Sequence, residues 1–316
     1  MFMECEHVHY AKAQLAEVIC QLRFPTILRI GASEPADFQE RIRENYPRYS
    51  RNVEKQPPKL TQTPQGVRPE PQPDVINFQF VSADGLWKVN LTNCFVSLAT
   101  PAYSSWEDFA RRLDEVLADF IEVYHPAYFE RIGLRYINIF SRRALEVEDV
   151  PFSALFQPAY LGLLGEDDVR ESAFQRASQD VEMSLAGGCR LKLHVGPGLV
   201  KRSGVEDKEV KYILDQDLFM SGKVEMKHST GALNTLHTHA GRIFRGADQT
   251  ERREGRGQRN RRRDRPVQPP ARPFAHQLGV CRRSDSGQSA QHRFHRQADE
   301  NRREQLSPGR GGCEGF

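Results

Sequence analysis

Cysteine is scarce and scattered. The six thiols, Cys5, Cys20, Cys94, Cys189, Cys281 and Cys313, include no Cys-x-x-Cys pair, which argues against a zinc knuckle or a thioredoxin-type motif. Cys20 and Cys94 lie in apolar, strand-like runs, where a reduced cysteine serves as a small buried hydrophobe. No apolar run approaches membrane-span length, and the opening MFMECEHVHYAKAQ lacks a signal-peptide core. A cytoplasmic chain with no membrane partner is therefore expected. Also missing are a Gly-x-Ser-x-Gly elbow, a Cys/His dyad at family spacing and a dinucleotide fingerprint. VGPGLVKRSG (195–204) has glycines and basic residues but no strand–turn–helix setting for a phosphate loop, and it reads as a turn. No cofactor and no metal is expected.

Lysine and most large apolar residues vanish late in the chain. From Ala247 to Phe316 there is no Lys, Ile, Tyr, Trp or Met, and 16 Arg face 9 acids. Up to Gly246, 29 Lys and Arg face 33 Asp and Glu, so the net charge of +3 averages an acidic core and a basic tail. Such a tail buries too little apolar surface to offset the entropy of ordering it. Residues 247–316 are expected to be a disordered, Arg-rich segment, with nonspecific nucleic-acid binding as its one plausible activity. Its bias toward Arg, Gly, Pro and Ala is what a shifted reading frame of a GC-rich gene produces.

Residues 1–246 carry the fold. AEVICQLRFP (16–25) reads as a strand. SEPADFQERIRENYP (33–47) reads as a helix, with Ser33 as N-cap and Phe38, Ile42 and Tyr46 on one side. The proline-rich 56–73 reads as an extended surface loop. DVINFQF (74–80), LWKVNLT (86–92) and NCFVSLA (93–99) form an antiparallel meander with one buried face. SSWEDFARRLDEVLADFIEVYHP (104–126) is a long amphipathic helix opened by a Ser104-x-x-Glu107 capping box and closed at Pro126.

The second half repeats that order. RIGLRYINIF (131–140) is a strand, and 151–165 is a helical stretch broken near Pro158. A hairpin turns at Gly187-Gly188, EVKYILDQDLF (209–219) is a strand, and LNTLHTHAGRIF (233–244) is a closing helix. The expectation is an α+β fold in which a curved antiparallel sheet packs on long helices, built from two β-α-β-β-β-α halves, 10–126 and 127–246. The order resembles that of TATA-box-binding-protein-like and helix-grip folds, which carry different functions.

LAEVICQLRFP, FVSLATPAYSSWEDFARRLDEVL, RIGLRYINIF, YILDQDLF and LNTLHTHAGRIFRGA, in this order, resemble a sporadically distributed family of uncharacterised proteins of bacteria and some archaea. The resemblance covers residues 8–246 and implies a soluble protein. It assigns no activity and no catalytic residues. Members continue briefly as helix after the last phrase, and here the chain departs into its arginine-rich tail.

Candidate chemistry is thin. Asp215 and Asp217 project from one face of a strand, and Glu225 and Lys227 follow in VEMK. The set has the composition of a metal-dependent nuclease hairpin, in which carboxylates hold Mg²⁺ and the lysine positions a water. The alternative is that the aspartates face solvent or pair with Arg131 and Arg135. Those two arginines share a strand face and make the first candidate anion site. Cys5, His7 and His9 alternate as a metal trio would, but they lie at a terminus and lack a fourth ligand. His237 and His239, two apart on a helix, do not share a face. Trp106, Tyr103, Tyr124 and Tyr128 are explained by packing around the long helix.

The leading expectation is a non-enzymatic binding or interaction module for a protein or small-ligand partner. A metal-dependent nuclease using Asp215, Asp217, Glu225 and Lys227 is the first alternative, and nucleic-acid binding through the tail is the second. The coding DNA near residue 246, read in the other frames, is expected to yield a helix-forming continuation. A single frame shared intact by close relatives would contradict that.

Overall fold

Alternating apolar and polar residues over most of its length make this chain a sheet protein with one greasy face. The computed structural model describes residues 14–63, 66–202 and 205–247. In chain order the elements are β1 (Leu15–Arg23), α1 (Leu28–Ala32), α2 (Ala36–Ile42), β2 (Arg48–Glu54), β3 (Lys59–Thr63) and β4 (Gly66–Glu70). There follow β5 (Val75–Val81), β6 (Lys88–Leu91), β7 (Phe95–Thr100), α3 (Trp106–Tyr124) and β8 (Phe129–Phe140). The last are α4 (Phe152–Leu155), α5 (Pro158–Leu161), β9 (Gln179–Ser184), β10 (Arg190–Arg202), β11 (Val205–Val224) and α6 (Ser229–Ala247).

Nine strands form one curved antiparallel sheet in the order β2-β5-β6-β7-β1-β8-β11-β10-β9. Outward from the central β1/β8 pair, one half runs β7, β6, β5 and the other β11, β10, β9, so the expected duplication is present in the topology. The helices repeat it too. α3 and α6 have 19 residues each, and the buried Leu113, Leu117 and Phe120 have buried counterparts 123 positions on in Leu236, Ala240 and Ile243.

Strand alternation divides the sheet cleanly. Val18, Cys20 and Leu22 of β1 and Ile132, Leu134 and Tyr136 of β8 join one core with Phe109, Leu113 and Phe120 of α3 and Leu236 and Ile243 of α6. Phe120 meets Phe24 at 4.8 Å between ring centroids and Phe38 of α2 edge-on at 6.5 Å. The two long helices are tied to each other as well. The indole of Trp106 stacks on His237 at 4.5 Å and donates through Nε1 to Asn234 Oδ1. Beneath them the Tyr136 hydroxyl lies 2.9 Å from His237 Nδ1. All of this lies on one side of the sheet.

Several local expectations need correction. The N-cap of α3 is Ser105, whose hydroxyl accepts from the Asp108 N–H, and not Ser104. Ser105 has the extended dihedrals a cap requires. Pro35, not Ser33, precedes α2, and no side chain caps it. The proline-rich 56–73 is not a plain loop, because β3 and β4 pair there as a separate hairpin with Leu60 opposite Pro69. A two-stranded ribbon tolerates proline where the missing N–H would point outward. β2, unanticipated, adds an exposed edge strand beside β5. VGPGLVKRSG is no turn through Arg202, since β10 runs to that residue opposite β11. Finally, α6 extends to Ala247, which is buried and accepts from the Gln157 N–H. The metal trio Cys5, His7 and His9, and the tail after Ala247, lie outside the described residues.

Candidate functional site

The side of the sheet away from the helices is built from the other set of alternating residues, and it collects the chemistry. One register row crosses all nine strands, from Ser50 through Gln79, Asn90, Ser97 and Gln21 to Gly133, Phe219, Arg190 and Ser184. Its amides and hydroxyl engage one another: Gln79 Nε2 donates to Asn90 Oδ1 at 3.1 Å, and Asn90 Nδ2 to Ser97 Oγ at 3.2 Å. Ala99, Ile137 and Phe219 are buried on this side, outside the core cluster beneath the helices.

Arg131, Arg135, Asp215 and Asp217 all point to this face, which is helix-free among the described residues, and they pair. Arg135 grips Asp215 with two bonds, Nε to Oδ1 at 2.8 Å and Nη2 to Oδ2 at 2.5 Å. Arg131 Nη2 reaches both oxygens of Asp217 at 2.8 Å. Both bonds run diagonally, because the register sets Arg135 opposite Asp217 and Arg131 opposite Ser221. A planar guanidinium forked onto a carboxylate is a strong, directional contact, and the Asp215 side chain is only 8% exposed. Arg131 also covers the Phe219 ring at 4.4 Å, with Arg190 at 5.3 Å from the same ring.

Gly133 makes this possible. A Cβ there would collide with Arg131 Nη1, so the missing side chain is what lets the Arg131 guanidinium lie flat along its own strand.

The structure does not bring the proposed nuclease set together. Glu225 lies eight residues beyond Asp217, roughly 25 Å at ~3.3 Å per extended residue, and pairs with Lys227 at 2.9 Å on an exposed turn. Among the described residues no three His, Cys, Asp or Glu side chains are placed to hold a metal ion. His237 and His239 diverge as expected: His237 faces Tyr136, and His239 Nε2 lies 3.1 Å from the Ala186 carbonyl. Burial pushes the Cys20 thiol far up and that of Cys189 up to about 11, so neither supplies a thiolate nucleophile near neutral pH. Burial likewise holds the Tyr136 hydroxyl well above the usual phenol range.

A cleft of about 830 Å³ opens between α5 and β10, lined by Leu161, Phe174, Val195 and Tyr212. The Tyr212 hydroxyl is already engaged, donating to the Tyr160 carbonyl. No protein-family model matches the chain, and no curated protein matches it.

Two residues of this face escape a reading of the sequence alone. Gln21 and Arg23 of β1 lie opposite Gly133 and Arg131, and β1 reads in sequence as a plain apolar strand. Only the register reveals them.

The aspartates are expected to act as struts. Asp215→Ala, which strands the Arg135 guanidinium, should lower unfolding stability by about 2–3 kcal/mol. Glu225→Ala should cost less than about 0.5 kcal/mol, as for an exposed pair. Urea unfolding monitored by tryptophan fluorescence reads both. Equal losses would contradict the assignment.

Proposed function

We propose that the chain is a non-enzymatic binding module that receives its partner on the helix-free face of the sheet. One observation carries this reading. The long helices crowd onto one side, while the other side presents rows of amide, hydroxyl and charged groups held in register by nine strands. The groups best suited to acid, base or metal chemistry on that face, Asp215 and Asp217, are engaged by guanidinium groups. A face of this kind is preorganised for recognition, because its side chains lose little freedom when a partner binds. Membership in the sporadically distributed family, on the phrases across residues 8–246, is part of the same proposal, as is a cytoplasmic location. No helix among the described residues is long and apolar enough to cross a membrane.

Photocrosslinking tests where the partner sits. The photoreactive residue p-benzoylphenylalanine is placed in the full chain either at Lys192, exposed on the helix-free face, or at Ala118, exposed on α3. Irradiation of the native host cells should give an adduct from position 192 and none from position 118. An adduct from position 118 alone, or from neither, would overturn the reading.

A further inference from the structure

The helix-free face contains two arginines placed where like charges repel. Arg23 and Arg131 are direct cross-strand partners at the junction of the two halves, and like charges in that relation are destabilising unless something compensates. Arg131 has Asp217, but only through Nη2. Its Nε and Nη1 make no hydrogen bond among the described residues, and Nη1 lies over Gly133. Arg23 is exposed, with no ion-pair or hydrogen-bond partner among the described residues.

Gln21 completes the group. It lies opposite Gly133, so its carboxamide borders the space over which the Arg131 guanidinium is laid, and it too has no hydrogen-bond partner among the described residues. Neighbouring strands are ~4.8 Å apart, which brings the three side chains within reach of one small group. The floor between them is Gly133, which adds no side chain of its own.

We propose that Gln21, Arg23 and Arg131 form an oxyanion-binding site at the junction of the halves, taking a phosphate or carboxylate group of the partner or ligand. This relocates the anion site expected from the sequence. Arg135 is not part of it, because both ends of its fork are closed on Asp215. Two guanidinium groups give the site its charge and its bidentate geometry. The Gln21 amide adds a neutral donor. Asp217 offsets part of the positive charge, so the empty site is a partly neutralised pair of arginines and the filled site gains a second counter-charge for Arg23. The inference rests on the helix-free face being the binding face.

Titration of the ¹⁵N-labelled full chain with potassium phosphate or with potassium acetate, at constant ionic strength set by potassium chloride, tests it. The readouts are the Arg131 Nε–Hε and Gln21 side-chain amide resonances. Holding ionic strength constant removes general screening. Saturable shifts at both groups are expected, with affinity falling roughly tenfold in Arg23→Gln, the equivalent of one charge-assisted hydrogen bond. Asp217→Asn, which removes the opposing charge, should strengthen binding. Tighter phosphate than acetate binding identifies a phosphate-bearing ligand, and the reverse order a carboxylate. Either order supports the site. Shifts no larger than those from chloride alone, or an affinity unchanged in Arg23→Gln, would overturn it. Arg23 is exposed and faces a like charge, so its substitution should not lower the unfolding midpoint, and this checks that the variant is folded. If the titration fails while crosslinking at position 192 succeeds, the oxyanion site alone is wrong. If oxyanions bind while that face yields no adduct, the binding-module reading is wrong.

Discussion

Antiparallel pairing of β1 with β8 joins two similarly ordered halves into one sheet. Its register runs from Leu15 opposite Asn138 to Arg23 opposite Arg131. Everything else follows from that seam. A slip of one residue would turn every side chain of one half to the wrong side, placing Leu134 and Tyr136 among the charges and Arg131 and Arg135 under the helices. The seam is held by burial on the helix side, where Cys20 and Leu22 lie opposite Leu134 and Ile132. Trp106 and His237 then clasp the helices of the two halves over it.

The other side of the seam obeys electrostatics. Four charged residues of β8 and β11 form two diagonal pairs, and Gly133 supplies the gap over which one of them lies. Such pairs contribute little net stability when they form, because desolvation offsets attraction, yet losing one partner is costly. The aspartates hold the arginines in fixed positions, with Arg131 Nη1 lying over Gly133. In the proposed reading these aspartates serve as struts, since a carboxylate forked by arginine is poorly placed to accept a proton or a metal ion.

Much of this was legible in the residues. The 3.6-residue period from Phe109 to Phe120, and the alternation of Trp87, Val89 and Leu91, follow from burial on one face, and burial is written directly into composition. β2 was not legible, because an exposed edge strand such as RYSRNVE has no apolar stripe. The β3/β4 hairpin was hidden by its prolines, whose local bias toward extended backbone suits a loop and a ribbon equally. Ser104 and Ser105 are both good caps, and only backbone geometry chooses between them. Pairing of the aspartates with Arg131 and Arg135 was open from the sequence as one of two alternatives, but which arginine takes which aspartate depends on register and diagonal reach. Gln21 and Arg23 were invisible for the same reason, since their role depends on which strand lies beside β1.

The central claim is that the charged residues of the helix-free face are cross-strand struts of a binding surface rather than a catalytic set. A double-mutant cycle on Arg135→Ala and Asp215→Ala, read by urea unfolding, tests it most directly, because the cycle isolates the pairwise coupling from the other effects of each substitution. The account predicts a favourable coupling of about 1–3 kcal/mol. A coupling within about 0.3 kcal/mol of zero would show that the two side chains do not depend on each other and would contradict it.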